Sequence, residues 1–364
     1  MKHWLTNCGV ILVVVFCTGM LPQTAYAQNE SDISNFLKAA PEDVSKLISA
    51  YVQPAIEGVS FGMTGGWYTT AKAHKSFGFD IGVSLNTVFL PSSKNYFDPY
   101  KLNLSSAFTS FENKSPNPSN GAPSITGPKD ETEYVFSYDP DGNGPLGTQN
   151  FSIIGPEGLD VKNEIGIGEA PVPVPMIQLG VGIIKNTDIK LRLVPQQDVG
   201  GSKVKMLGIG VMHDIKQHIG GIKLMPFDLS VLLAYNNVSG NTDLRNSSST
   251  DGVPDSQNGE MKYSLSSYIL QALISKKISV LTVYGGIGYQ MVKTKVDVLG
   301  DYVIQSSSSA ASFSIKDPVA IDFKNNGFKL NGGVRFKFGP VYLNGEYTLQ
   351  KYSTVTVGLG FSVR

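Results

Sequence analysis

The sequence predicts an all-β fold, a closed antiparallel transmembrane β-barrel of about 12 strands (roughly 10–14) preceded by a short N-terminal periplasmic helical segment. Three observations predict it. Apolar and polar side chains alternate over long runs, short and long connections separate these runs, and no segment after the leader has the apolar length of a membrane helix. The alternation is clearest in residues 326–364, where apolar side chains share one face and polar ones the other: Phe328, Leu330, Val334, Phe336 and Phe338 against Lys329, Asn331, Arg335 and Lys337.

A soluble β-sandwich also has alternating strands, but the details favour a membrane barrel. The runs have about 9–11 residues, which is the length that a tilted strand needs to cross a bilayer. Their polar face carries full charges, and tyrosine and phenylalanine lie near the ends of the apolar face, as in barrels with aromatic girdles. Such a sheet has to close, because an open edge leaves backbone groups without hydrogen-bond partners in hydrocarbon.

The composition limits the class of protein. Charged residues make up 16 % of the 364 residues, against about 25 % in typical soluble domains. The formal net charge is zero, which argues against nucleic acid as a partner. Both cysteines, Cys8 and Cys17, lie in the leader, so the mature chain has no thiol for a disulfide, a zinc site or a nucleophile.

Residues 1–27 are predicted to be a secretory signal peptide. Lys2 and His3 precede an apolar stretch from Gly9 to Leu21, and Ala25-Tyr26-Ala27 is a cleavage site of the A-x-A type. The alternative, a membrane anchor, needs a longer apolar run. We therefore expect Sec-type export, cleavage and integration into the outer membrane. The expected partners are outer-membrane lipid and, during biogenesis, the barrel assembly machinery.

Residues 28–57 are predicted to form a periplasmic helical segment or a plug at the lower mouth of the barrel. Between Ser31 and Gln53 the apolar residues recur at helical spacing, and Pro54 ends the pattern. The alternative is a helix packed on a globular core. Residues 58–364 are then the barrel, with 112–173, which is rich in Pro, Gly, Asn and Ser, as a long loop or plug insertion.

The predicted barrel strands are joined by two kinds of connection. Tight ones at 185–187, 275–277 and 339–340 alternate with long polar ones at 240–259 and 297–319. Because short turns face the periplasm in such barrels, the tight connections are assigned to that side. The connection 213–226, with isoleucines three or four residues apart, predicts a short interfacial helix. The predicted strands are Val59–Thr70, Ser76–Leu90, Lys101–Phe111, Val174–Lys185, Asp188–Pro195, Lys203–His213, Phe227–Ser239, Glu260–Ser275, Ser279–Val296, Ala320–Phe338, 341–350 and 354–363.

The lumen-facing positions carry the candidate site. Their charged residues are Lys190, Arg192, Lys329, Arg335, Lys337 and Glu346. One interpretation is a structural lattice of ion pairs that fills a barrel of this size. The other is a polar, anion-tolerant path whose basic residues tune selectivity. Inward-facing glycines leave room for a plug or a solute beside the wall, which favours a passage: Gly180, Gly182, Gly208 and Gly210.

Motifs for metals and catalysis are weak. Asp139, Asp141 and Asn143 match the first half of a calcium loop, but an asparagine occupies the position of the bidentate glutamate. A turn is therefore predicted, with a weak calcium site as the alternative. His213 and His218 are spaced wrongly for one helix face, so neither a metal site nor a cofactor is predicted. No G-x-S-x-G motif occurs, and we predict that the protein is not an enzyme; a hydrolase would need Ser, His and Asn or Asp to converge at the rim.

Three blocks of sequence resemble an uncharacterised family of outer-membrane β-barrels from Bacteroidetes-type bacteria: FGMTGGWYTTAKAHKSFGFD (61–80), PVPMIQLGVGIIKNTDIKLRLVP (173–195) and GIGVMHDIKQHIGGIKLMPFDLSV (208–231). The resemblance covers most of the mature chain and implies fold and location only. In its N-terminal segment before a mid-sized barrel, the chain is also loosely similar to long-chain fatty-acid transporter barrels. It lacks their Asn-Pro-Ala hatch motif, since Asn117-Pro118-Ser119 lies in the long loop.

The predicted function is passive transport of a small hydrophobic or anionic solute through a polar lumen, with that small molecule as a partner. The alternative is a non-conducting structural or surface-interaction barrel whose extracellular loops bind a partner. Whether residues 112–173 lie inside or outside the barrel separates a pore from a filled cylinder.

Overall fold

The computed structural model describes residues 41–114, 121–138, 148–160, 170–199, 202–243, 258–305 and 312–363. These residues contain a helix, α1 (Pro41–Gly62), and strands that are numbered in chain order. The strands are β1 (Phe79–Leu90), β2 (Tyr96–Phe97), β3 (Phe108–Asn113), β4 (Ala122–Pro123), β5 (Thr132–Tyr138), β6 (Gln149–Gly155), β7 (Ala170–Gly182), β8 (Thr187–Val199), β9 (Ser202–Asp214), β10 (Asp228–Asp243), β11 (Glu260–Ile278), β12 (Leu281–Leu299), β13 (Asp301–Gln305), β14 (Ser312–Lys316), β15 (Val319–Lys324), β16 (Gly327–Phe338), β17 (Val341–Leu349) and β18 (Thr354–Val363).

The main sheet closes into an antiparallel barrel. Its strands follow the order β11-β10-β9-β8-β7-β1-β18-β17-β16-β12, and the pairing of β12 with β11 closes the ring. The first strand pairs with the last, with Phe79 opposite Val363. Of the 11 strands in this sheet, β15 lies outside the ring because it pairs only with the far part of β12. The closed antiparallel barrel is thus confirmed, with ten strands in the ring rather than about 12.

Two of the predicted strands are wrong, which accounts for the lower number. Residues 59–62 are the end of α1, and residues 63–70 run inside the barrel rather than in its wall. The stretch 101–111 contains the end of a 3-10 turn (Pro99–Leu102) and the start of β3, which belongs to a separate small sheet. Because the wall surrounds residues 63–70, their apolar side chains do not mark a lipid-facing side.

The two ends of the barrel differ. The connections 183–186, 215–227, 279–280 and 339–340 lie together at one end, here called the turn end, where β1 also begins and β18 ends. The opposite end, the loop end, carries the connections that follow β1, β8, β10, β12 and β17. The connection 215–227 contains two short 3-10 turns instead of the predicted interfacial helix.

Helix α1 and residues 91–114, 121–138 and 148–160 form a cap on the loop end. The cap contains two small sheets, β2–β4 and β3–β5–β6. Leu47, Ile48 and Tyr51 of α1 pack in one apolar cluster with Tyr134 and Phe136 of β5. The described residues of the predicted insertion 112–173 therefore fold as this cap up to Asp160, whereas residues 170–173 begin the wall strand β7. The expected position of the helix at the tight-turn mouth is wrong, because the chain passes back through the barrel before β1 starts at the turn end.

Side chains of the wall are sorted by polarity, as the alternation predicts. Outward-facing Leu207 and Phe328 are 63 and 76 % exposed, whereas inward-facing Gln271 and Gln290 are 1 and 0 % exposed. Each strand therefore has an apolar outer side and a polar inner side. Among the described residues, no helix is long and apolar enough to cross a membrane.

Candidate functional site in the barrel lumen

The interior of the barrel is filled by residues 63–77, which we call the lumen segment. It begins where α1 ends, passes along the inner wall and leaves at the turn end, where β1 starts. Polar side chains of the wall bond its backbone at successive positions, so it is held along its length. Each of these bonds joins a wall side chain to a backbone carbonyl oxygen: Asn236 to Met63, Lys329 to Thr64, Arg192 to Gly65, Gln178 to Trp67, and Ser230 to Ala71.

Arg192 of β8 makes the most extensive contact with this segment. Its side chain is 1 % exposed. The guanidinium donates through Nη1 to the carbonyl oxygen of Met63 at 3.1 Å and through Nη2 to that of Gly65 at 2.8 Å. The Trp67 ring lies under the same group, with its centroid 3.8 Å from Cζ. A buried cation is unfavourable unless it is bonded, so the carbonyl groups and the ring of the segment stabilise Arg192 while Arg192 holds the segment.

Lys329 and Glu346 lie in the same region of the interior. Lys329 is 2 % exposed and donates to the carbonyl oxygen of Thr64 at 2.7 Å. Glu346 is 4 % exposed and accepts from the hydroxyl of Thr348 at 3.2 Å. The amide oxygen of Asn331 accepts from the hydroxyl of Tyr68 at 3.0 Å. Charged and polar groups of the wall are thus turned toward the segment, where hydrogen bonds offset the cost of their burial.

Glycines of the wall provide the space into which bulky side chains of the segment fit. A Cβ placed on Gly210 of β9 would lie 2.8 Å from the Trp67 ring. One placed on Gly286 of β12 would lie 2.3 Å from the hydroxyl oxygen of Tyr68. Carbon atoms in contact are about 3.5–4.0 Å apart, so a larger residue at Gly210 would displace the ring. The room that glycine leaves beside the wall is therefore occupied by the chain's own aromatic residues.

The turn end of the lumen segment is anchored by His74. Its backbone N–H donates to Asp188 Oδ1 at 2.8 Å, and its Nδ1 lies 2.9 Å from Asp188 Oδ2. Its Nε2 lies 3.5 Å from the hydroxyl oxygen of Ser362. These are the residue types that a hydrolase would need at the rim, but His74, Asp188 and Ser362 are only 2, 0 and 1 % exposed. The burial gives a substrate no access in this conformation, and the cluster serves to fix the segment.

Glu57 ties α1 to the turn between β17 and β18. Its carboxylate accepts from Lys351 Nζ at 3.0 Å and from the hydroxyl of Tyr352. Burial by itself raises the pKa of the Glu57 carboxyl. Hydrogen bonds from Tyr352, Gln53 and Lys351, together with the charge of Lys94, outweigh this effect and hold the pKa below its ordinary value of 4.5. The ionised carboxylate therefore stabilises the junction between cap and barrel.

One small cavity lies between the lumen segment and the wall. This cavity, of about 20 Å³, lies beside Gly66 and Thr69 of the segment, with Asp80 and Tyr342 on the wall side. This volume suffices for about one water molecule. A solute of several atoms does not fit this cavity unless the segment moves.

All six predicted lumen-lining residues are on the inner side of the wall. Lys190, Arg192, Lys329, Arg335 and Glu346 are 1 to 4 % exposed, and Lys337 is half-buried. Arg192 and Lys329 contact the lumen segment, whereas Lys190 lies beside Asp80 and Gly180. The Arg335 guanidinium lies 4.0 Å from the Tyr342 ring centroid, and Lys337 donates to the carbonyl oxygen of Ser362 at 2.8 Å. The lumen segment thus fills the interior beside Arg192 and Lys329.

The weak calcium alternative, Asp139, Asp141 and Asn143, lies outside the described residues, and so does the predicted signal peptide, residues 1–27. The structure brings His213 and His218 together, with their Nε2 atoms 3.0 Å apart. In the ranges that the structure describes, no group of three or more His, Cys, Asp or Glu residues is placed to hold a metal ion.

Sequence reasoning places Trp67 and Tyr68 in a wall strand, Val59–Thr70, and His74 in the connection to the next strand, so it misses that these three residues close the lumen. One signal was available. Gly65 and Gly66 interrupt that stretch, and Gly66 adopts a φ of 66°, which breaks an extended strand.

The closed ring, its apolar outer side and its filled interior define a β-barrel that is closed by its own N-terminal region. The chain belongs to the Family of unknown function (DUF6588), whose model matches residues 1–363. This agrees with the expected resemblance to an uncharacterised family. The Bacteroidetes-type origin and the similarity to fatty-acid transporters remain predictions. No match was found among curated proteins.

Several solved membrane barrels are similar to this chain at low identity. Ail, the attachment invasion locus protein of Yersinia pestis, is 8 % identical over 79 % of this chain and 100 % of Ail, with a TM-score of 0.24. The translocator domain of the autotransporter NalP from Neisseria meningitidis is 10 % identical over 88 % of this chain and 98 % of that domain, with a TM-score of 0.28. The transport unit of the autotransporter AIDA-I from Escherichia coli is 8 % identical over 90 and 99 % of the two chains, with a TM-score of 0.27. TM-scores this low do not establish function, which is inferred below from the barrel itself.

Proposed function

We propose that this protein is an integral outer-membrane β-barrel that its lumen segment keeps closed, and that its cap, rather than its lumen, is the functional surface. The observation that carries this proposal is the filled interior, where Trp67, Tyr68 and His74 are buried against the wall. The role is that of a non-conducting surface-interaction barrel, in which a partner binds to the cap at the loop end.

The outer side of the wall supports the membrane location. Large apolar side chains are exposed all round the ring, which would be unfavourable in water and is favourable against lipid tails. From Phe328 to Phe338, at about 3.3 Å per residue and a tilt of about 40°, the apolar band of β16 is about 25 Å high. Aromatic pairs lie at both borders of the band, Tyr289 with Phe328 near the loop end and Phe79 with Phe361 near the turn end.

A second candidate function is gated passive transport of a small hydrophobic or anionic solute. The observation that favours it is the chemistry of the interface between segment and wall. The wall holds the segment largely through hydrogen bonds to backbone carbonyl groups, such as those of Met63, Gly65 and Ala71. Water can replace such bonds, and the polar interior would then line a passage if the segment left.

Planar-bilayer conductance of the purified mature protein separates the two. One variant replaces residues 63–74 by a Gly-Ser linker of equal length, and a control replaces residues 244–255, in the connection between β10 and β11, in the same way. We expect no steady conductance from the wild type or the control and a stable conductance from the lumen variant.

Steady conductance of the wild type would contradict a closed barrel and support transport. A lumen variant that inserts but stays silent would show that the segment is not what closes the barrel. Membrane integration itself is tested separately, by fractionation of cells and by the shift in electrophoretic mobility on boiling.

A further inference from the structure

The connections at the turn end share a feature that the barrel fold does not require. With the exception of 339–340, the stretches at this end place an exposed apolar side chain close to an exposed lysine in the chain. Phe77, Ile184 and Leu224 are 91, 68 and 96 % exposed, and their neighbours in the chain include Lys75, Lys185 and Lys223, which are also exposed. We call these connections, together with 276–280, the turn-end rim.

The connection 276–280 repeats the pattern. Ile278 is 54 % and Val280 44 % exposed, and Lys276 and Lys277 precede them directly. The same combination thus occurs on four stretches that are far apart in sequence and spread over the part of the ring that runs from β12 through β11 to β1. A single protein partner would contact one side of the ring, whereas a layer that surrounds the barrel contacts all of these connections at once.

The conformation of Phe77 indicates that its exposed ring is not incidental. Its φ is 66°, in the left-handed region that is unfavourable for a bulky residue. The residue is held there by its backbone N–H, which donates to the carbonyl oxygen of Gly182 at 2.9 Å. A strained backbone and a phenylalanine ring in water are both costly, and the cost of exposure is removed if the ring lies in an apolar layer.

The charge of the rim is one-sided. The carboxylates at this end are withdrawn from the surface, since Asp80 and Asp188 are 7 and 0 % exposed and Asp214 and Asp228 are half-buried. The loop end is different, because several of its lysines are paired with carboxylates, as in Lys114–Glu131 at 3.1 Å and Lys262–Glu260 at 3.0 Å. Among the described residues, the exposed charge of the turn-end rim is therefore positive, and a negatively charged layer complements it.

We propose that the turn-end rim binds the anionic phospholipid headgroups of the membrane leaflet at that end. The apolar side chains enter the leaflet just below the headgroups, and the flexible lysines reach the phosphates. This inference rests on the proposed membrane location and adds to it the lipid class that the protein selects.

The test compares the full mature chain in nanodiscs of phosphatidylcholine with nanodiscs that also contain phosphatidylglycerol, and the retained lipids are counted by native mass spectrometry. The rim variant carries Lys185→Gln, Lys223→Gln, Lys276→Gln and Lys277→Gln. The control variant carries Lys101→Gln, Lys114→Gln, Lys262→Gln and Lys295→Gln at the loop end, which changes the net charge equally. A third arm contains lipid A in place of phosphatidylglycerol.

We expect the wild type and the control to retain phosphatidylglycerol in preference to phosphatidylcholine. In the rim variant the preference for phosphatidylglycerol should be at least about 10 times weaker, since each lysine near an anionic surface strengthens binding about fivefold. Equal preference in the rim variant and the wild type, an equal loss in the control, or a preference for lipid A would overturn the inference. A chain that inserts into neither kind of nanodisc would instead contradict the proposed membrane location.

Discussion

Trp67 offers a direct test of the docked lumen segment. The sequence has two tryptophans, Trp4 in the predicted leader and Trp67, so Trp67 is the only one expected in the mature chain. Its ring is 1 % exposed and lies between the Arg192 guanidinium and Gly210 of β9. We predict that Gly210→Ala displaces this ring and weakens the docking of the segment.

The magnitude follows from the geometry. The added Cβ would lie 2.8 Å from Cζ3 and 3.1 Å from Cε3 of Trp67. The ring must therefore move by about 1 Å to restore normal contact. The wall cannot yield easily, because β9 pairs with β8 on one side and β10 on the other. Overpacking of this kind costs about 1–3 kcal/mol, which lowers the ratio of docked to undocked segment roughly 5- to 150-fold.

The assay is the emission of Trp67 and its quenching by acrylamide in nanodiscs. The wild type should emit at short wavelength and be quenched weakly, whereas Gly210→Ala should emit at longer wavelength and be quenched more strongly. Gly332→Ala in β16 is the matched control, since a Cβ there meets nothing within 4 Å. If the two variants give the same emission and the same quenching, Trp67 is not seated against β9 and the reasoning is refuted.

Three further substitutions test other contacts of the segment and the cap. Arg192→Met removes the hydrogen bond to the Gly65 carbonyl oxygen, and we expect a loss of about 1–3 kcal/mol, measured as a lower denaturant midpoint of Trp67 emission. His74→Ala removes the imidazole bonded to Asp188, so amide exchange should become faster in residues 70–78 while the barrel stays folded. The lowered pKa of Glu57 means that its carboxylate stabilises the cap above pH 4.5 and that this stabilisation is lost as the pH falls through the lowered pKa. Thermal unfolding of the wild type should therefore shift downward below pH 4.5, and that of Glu57→Gln should shift less.

Each of these expectations has an outcome that contradicts it. For Arg192→Met the control is Lys337→Met, because Lys337 bonds the carbonyl oxygen of Ser362 in the wall. Equal midpoints for the two variants would show that Arg192 does not hold the segment. Uniform acceleration of exchange in His74→Ala would indicate global loosening rather than a lost anchor. Parallel pH profiles for the wild type and Glu57→Gln would exclude Glu57 as the titrating group.

The wall of the barrel could be predicted from the sequence because its two faces have different environments, so that apolar and polar side chains alternate along each strand. An apolar outer surface and a polar interior require residues such as Phe336 and Arg335 to alternate. Strands β17 and β18 begin and end within about a residue of their predicted bounds, whereas the predicted strand Ala320–Phe338 is divided into β15 and β16. The side of the wall that each predicted lumen residue faces follows from the same rule. The alternation rule fails for the lumen segment, because the wall encloses that segment on all sides. Its residues therefore do not alternate between an apolar and a polar environment.

Whether such a barrel is open or closed depends on contacts between residues that are distant in the sequence. A local sequence pattern does not predict such contacts. Trp67 and Gly210 are far apart in sequence, and a glycine in a wall strand has the same appearance whether a ring, a solute or water lies against it. The inward-facing cations are equally ambiguous, since Arg192 and Lys329 would line a passage and also suit a filled interior. What decides is the identity of their partners. Once their ammonium and guanidinium groups are bonded to the carbonyl oxygens of Thr64, Met63 and Gly65, opening the lumen requires water to replace these bonds and requires Trp67 to leave an apolar contact. In the closed barrel that we propose, a ligand therefore opens the lumen only if it binds the open state more tightly than the closed one.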